Sequence, residues 1–176
     1  MKILIVTTLF PPDLSDSSRY CKELSKRLVD DGHSVEIILY GKIPEKIEKA
    51  HINVVRKSFL LPVRLLIFTV KYFMASLHKD RVIISNGPAV DFPTFLIYPF
   101  VFEKATYLIS DSAAVTKSSG TRHYIYSFLK AHLPTLAVDT KKYLKPEIHP
   151  FKTSDFSPEE FNENWKSHLR SVINYG

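Results

Sequence analysis

A chain of 176 residues has room for one ordinary domain with a terminal extension, and excludes a second large domain. With 45% hydrophobic and 24% charged residues it has ample material for a core, which excludes a disordered chain. The net charge of +6 is uneven: residues 51–150 carry 13 basic against 6 acidic side chains, whereas the first fifty balance. The middle segment therefore favours an anionic partner such as phosphate, nucleotide or acidic lipid, or is an ordinary lysine-solvated surface.

Lys2 to Thr7 is a continuous, β-branched apolar run without alternation, which predicts a central strand covered on both faces. The prolines that follow, and the lack of a small-residue cleavage site, argue against a signal peptide. The stretch from Ser17 to Asp31 places Tyr20, Cys21, Leu24 and Leu28 at helical spacing, and Gly32 stops that helix. Ser34 to Tyr40, His51 to Arg56 and Arg81 to Ser85 read as further strands, with a helix from Pro62 to Lys79 before the last of them. Tyr107 to Ser110 and Thr135 to Val138 are short apolar runs separated by a helix from about Thr121 to His132. Alternating strands and helices predict an α/β fold, an open, mostly parallel sheet wound on both faces. Residues 146–157 read as a connector. The Ser157-Pro158-Glu159-Glu160 start then opens a last helix, on which Phe161, Trp165, Leu169 and Val172 or Ile173 form one apolar stripe that must be buried.

The turn after the first strand, TTLFPPDLSDSSRY, is where a doubly wound fold meets a ligand. No glycine occurs before Gly32, so the dinucleotide fingerprint and the P-loop are both absent, which argues against classical NAD, FAD or ATP binding. Ser17 and Ser18 offer hydroxyls and backbone donors there and Arg19 a cation; the plainer alternative is that Asp16 or Ser17 only caps the helix.

Pro11-Pro12 and the Gly32-His33-Ser34-Val35 turn into the second strand resemble the opening of retaining glycosyltransferases of family 4 (glycosyl transferases group 1). Further along, RVIISNGP is similar to that family's strand carrying a D-x-V-H-x-H segment, and LPTLAVDTKKYLK to its AD-x-V-I-A-V-S-x-x-x-K-x-x-L. The resemblance implies a Rossmann-like domain over residues 1–150, one half of a GT-B fold, on the acceptor side of a sugar-transfer crevice. FSPEEFNENWKSHL resembles the helix that crosses back onto that domain, which makes residues 151–176 a connector and crossover-type helix. It further implies Asn86 and Gly87 as substrate contacts beside Ser17, Ser18 and Arg19. Where the family has a glycine pair this chain has Asp16-Ser17-Ser18, and where the family has a histidine after the fifth strand it has Ser110 followed by Asp111. Ser110 is then a substrate contact, and Asp111 a sugar-binding carboxylate or catalytic base, with a capping aspartate as the alternative. The donor-binding domain has no counterpart in the 176 residues, so the reading is a natural half-enzyme or a shortened chain.

Along SFLLPVRLLIFTVKYFMASLHK and the lysine just before it, Lys57, Arg64, Lys71 and His78 recur at intervals of seven among apolar residues. Each mid-bilayer Arg or Lys would cost about 2.5–3.5 kcal/mol, so this segment does not span. It reads either as a helix lying on a membrane, with Arg64 and Lys71 as the contacts, or as one sandwiched between the sheet and the last helix. FPTFLIYPFVF is equally apolar, and its Pro99 argues against regular helix, so it reads as core. The histidines show no metal-ligand spacing, one cysteine forms no intramolecular disulfide, and the aromatics sit in core runs; metal, disulfide and nucleic acid are not expected. The expectation is thus the acceptor-side domain of a nucleotide-sugar-dependent transferase, without cofactor, acting on a sugar or lipid-linked acceptor with a partner chain supplying the donor domain. Its expected place is the cytoplasm or the inner membrane face. The alternative is a non-catalytic binding or scaffold module of the same fold.

Overall fold

The computed structural model describes residues 1–8, 10–11, 15–41, 47–56, 60–109, 120–144 and 157–174. Among the described residues six strands form one sheet: β1 (Lys2–Thr7), β2 (Ser34–Gly41), β3 (His51–Arg56), β4 (Arg81–Ser85), β5 (Ala105–Ile109) and β6 (Thr135–Ala137). Every pairing is parallel and the order is β3-β2-β1-β4-β5-β6. That is the doubly wound, Rossmann-like arrangement expected from the alternation of elements. In β1 the residues Ile3, Leu4, Ile5 and Val6 are all fully buried, each contributing about 1.5–3 kcal/mol, which explains why this central strand reads as unbroken apolar sequence.

The helices are α1 (Asp16–Asp30), α2 (Leu61–Ser76), α3 (Pro88–Val101), α4 (Thr121–His132) and α5 (Pro158–Asn174). The pleat of the strands sorts them into two layers. Leu4, Val6, Val82, Ile84 and Tyr107 point to one face, where Phe68 and Tyr72 of α2, Val90, Ile97 and Val101 of α3, and Ile125 and Leu129 of α4 cover them. Ile3, Ile5, Ile37, Ile83 and Leu108 point to the other, under Tyr20, Leu24 and Leu28 of α1 and Phe161, Trp165, Leu169 and Val172 of α5. The tail helix thus lies across the sheet from α2, so the two do not sandwich each other.

Local signals account for the ends of α1. Ser15 is the N-cap, accepting on its hydroxyl oxygen from the Ser18 N–H at 3.1 Å, so capping falls one residue before Asp16. At the other end Gly32, with φ of 81°, reverses the chain while its N–H donates to the Val29 carbonyl. The segment from Phe92 to Phe102 differs from expectation: it lies almost entirely in α3, with Pro88 in the first turn and Pro93 and Pro99 inside. Packing against α2 and α4 holds it helical despite the two missing N–H donors, as in the Phe73–Phe100 and Phe95–Phe128 ring contacts at 5.0 and 5.1 Å.

Candidate functional site

Strand order reverses between β1 and β4, because β1 leads to β2 on one side and β4 to β5 on the other. A crevice opens at the carboxyl ends of two such strands, and helix N-termini point into it. Here those ends are Thr7-Thr8 and Ser85-Asn86-Gly87, with the starts of α1 and α3 beyond them. The sequence-derived candidates Ser17, Ser18 and Arg19 are therefore brought to the same edge as Asn86 and Gly87, despite some seventy intervening residues.

The seam between the strands is tight. A Cβ added at Gly87 would lie 2.8 Å from the Thr8 hydroxyl oxygen, so only glycine lets these two chain segments approach so closely. The Asn86 N–H donates to the Leu108 carbonyl at 2.9 Å, which ties the start of this turn to β5. Ser18 is fully buried and spends its hydroxyl on the Ser15 carbonyl at 2.8 Å, whereas Ser17 and Arg19 are half-buried. Below the crevice on the α1 side, the Cys21 thiol donates to the Thr7 hydroxyl at 3.7 Å, and burial pushes the thiol up.

The sequence reading missed a second group, on the α3 side. Asp91, in the first turn of α3, is 4% exposed, and its Oδ1 accepts from the Gly87 N–H at 3.1 Å and from the Tyr107 hydroxyl at 2.8 Å. Burial raises its carboxyl to about 6, against the pull of those two bonds and of the Arg122 guanidinium. Burial and the facing Asp91 charge push Tyr107 well above the usual phenol range. A lone acid among thirteen uncharged residues of one helix was the available signal, since a buried carboxyl needs partners.

Other candidates lie elsewhere or beyond view. Ser110 and Asp111 fall outside the described residues, as does Lys57. Arg64 and Lys71 sit on α2, half-buried and exposed respectively, away from the crevice. Among the described residues no three His, Cys, Asp or Glu side chains converge to hold a metal, and no helix is long and apolar enough to cross a membrane.

No family model matches the sequence, and no curated protein matches it. Among solved structures, an alpha-glucosyltransferase (AGT) in complex with UDP superposes with a TM-score of 0.50 at 13% identity, over 89% of this chain and 41% of that one. The likeness is one of fold. It extends to the Rossmann-like domain of a GT-B glycosyltransferase, without identifying a family, and this chain spans about two-fifths of that protein's length. The C-terminal domain of the coenzyme A biosynthesis bifunctional protein CoaBC superposes with a TM-score of 0.49 at 12% identity, over 98% of this chain and 96% of that one.

Proposed function

We propose that this chain forms the acceptor-side wall of a nucleotide-sugar-dependent glycosyltransferase resembling family 4, with a donor-binding domain supplied from outside the 176 residues. Residues 1–150 form that wall in this reading, and 151–176 the connector and the helix that packs back on it. The observation that carries it is the reversal of strand order between β1 and β4, which places the N-terminus of α1 and the Asn86-Gly87 turn at one carboxyl edge. In the reaction the glycosyl carbon leaves its bond to a nucleoside diphosphate and bonds to an acceptor hydroxyl, whose proton goes to a base. Asp111 is that base in our reading and Ser110 contacts the sugar. Ser17, Arg19 and the positive end of the α1 dipole face the departing phosphate, whose charge they offset, and Asn86 and Gly87 line the acceptor side. Ser18 makes no direct contact in this reading, since its hydroxyl and its N–H are both engaged with Ser15.

We assign the acceptor to a membrane surface. What supports this is the outer face of α2 and α3, where Leu66, Val70, Met74, Leu96 and Phe100 are each more than half exposed. Arg64 and Lys71 flank that face on α2, as a basic surface helix at an anionic bilayer requires. The second reading, a scaffold module without catalysis, is favoured by the crowding of Cβ atoms at Asp16-Ser17-Ser18 and by the engaged Ser18 hydroxyl.

Calorimetry of the purified chain against UDP and UDP-hexoses tests the crevice, and transfer assays with added donor-type domains test the half-enzyme. Weak nucleotide binding, with transfer only in the mixture, is the expected result. Robust transfer by the chain alone would refute the half-enzyme, and no nucleotide binding at all would leave the scaffold. Sedimentation with anionic and neutral liposomes at two salt concentrations tests the membrane contact, which fails if neither vesicle retains the protein.

A further inference from the structure

Asp91 is an odd residue to bury. Its two hydrogen bonds, from the Gly87 N–H and the Tyr107 hydroxyl, both fall on Oδ1. An asparagine oxygen would accept the same pair without the cost of placing an ionisable group beneath α3. What the carboxyl adds is a proton that can come and go.

The two donors come from different places. Gly87 is the N-cap of α3 and follows Asn86, a half-buried residue that the proposed function makes a substrate contact. Tyr107 lies within β5, which pairs directly with β4. Asp91 therefore links the turn at the strand reversal to the floor of the sheet, and no other side chain in the described residues bonds to the Gly87 N–H. We propose that Asp91 is a positioning residue of the β4–α3 turn, gripping Gly87 and Tyr107 firmly when ionised and weakly when protonated, so that pH sets how Asn86 is presented.

Hydrogen bonds to a charged acceptor are roughly twice as strong as those to a neutral one, which is the physical basis of the two grips. The charged and titratable groups that face Asp91 are Tyr107 on β5 and Arg122 on α4, with Tyr126 of α4 against Tyr107 at 6.3 Å. Tyr72 of α2 reaches Thr94, one turn further along α3. Burial outweighs the donors and the Arg122 cation, bringing the carboxyl to about 6, so the change of grip falls within the range where proteins commonly work.

The effect on ligand binding rests on the crevice reading above; the movement of the turn does not. Amide spectra of the whole chain, titrated between about pH 4.5 and 7.5, test the turn without any ligand. The Gly87 and Asn86 amides should shift with a midpoint at about 6. Asp91→Asn should abolish that transition, and Tyr107→Phe, which removes a donor to the ionised form, should move its midpoint upward. A Gly87 amide that stays constant, or that keeps its transition in the asparagine variant, would overturn the proposal. A midpoint unmoved by Tyr107→Phe would overturn it as well. UDP binding, measured by calorimetry at both ends of the range, should weaken at the acid end more in the wild type than in Asp91→Asn, whose profile carries the phosphate's own titration. Equal weakening in both would overturn the link to the crevice. If the amides behave as expected but UDP binds at neither pH, the crevice reading falls and the positioning role stands.

Discussion

The two faces of the sheet bury their aromatics in opposite ways. On the α1 face the chain covers itself: Trp165 and Val172 are fully buried, Tyr20 stacks on Trp165 at 5.7 Å, and the Arg27 guanidinium lies 4.9 Å over the indole ring. His168 is held there between Tyr143, stacked at 4.1 Å, and the Tyr20 hydroxyl at 2.5 Å. Outward, α5 shows Asn162, Glu163, Asn164, Lys166 and Arg170, an ordinary solvated surface. On the other face α2 and α3 are apolar both inward and outward, so Phe68 and Tyr72 meet the sheet while Leu66 and Val70 meet solvent. A helix that needs only one apolar side to fold, yet has two, has a surface left over for something outside the domain.

Four experiments sharpen or break this contrast. The largest effect should come from Trp165→Ala, which leaves a cavity beneath α5 and costs about 3–5 kcal/mol, read from denaturant unfolding. A change below 1 kcal/mol would mean that α5 is not an integral part of the fold.

The second uses the buried titratable groups, one on each face. Burial lowers His168 to about 4, so its stabilising neutral form is complete above the ordinary value of 6.5 and is lost as pH falls through 4. Asp91 is raised from 3.8 to about 6, so its contribution is complete below 3.8 and is lost as pH rises through 6. The two slopes oppose each other in the wild type, each spanning up to about 3 kcal/mol. Asp91→Asn should therefore show stability climbing from pH 4 to 6.5, and His168→Gln should show it declining across the same window. Parallel profiles in the two variants would be inconsistent with this assignment.

At the seam between the faces, Gly87→Ala should cost about 1–3 kcal/mol through its clash with Thr8, and adding Thr8→Ala should recover most of it. The smallest effect belongs to Leu66→Ser combined with Leu96→Ser, both exposed, which should change unfolding by less than about 0.5 kcal/mol per site. The same pair should reduce retention on anionic liposomes; retention equal to wild type would remove this face as the membrane contact.

Much of the frame was legible because each signal was local. The apolar run of β1, the Gly32 stop and the Phe161, Trp165, Leu169 stripe each report a burial pattern within a few residues of themselves. The α3 segment was not legible in the same way. Its prolines carry the local cost of a broken helix, whereas the compensating contacts come from α2 and α4, which sequence distance hides. Part of the candidate edge was legible: Ser17 and Arg19 at the start of α1 and Asn86 and Gly87 after β4 lie at the carboxyl edge that the element order predicts, whereas Asp91 gains its partner Tyr107 from a strand sixteen residues further on.

By itself the order of periodic segments determined an α/β domain with a central β1 and an amphipathic last helix, because burial on one face or two leaves its period in the chain. Tertiary structure alone decided that α5 lies across the sheet from α2, that Gly87 abuts Thr8, and that Asp91 meets Tyr107. Those contacts join residues brought together by strand order, and strand order is a property of how the whole sheet closes over its core rather than of any segment within it.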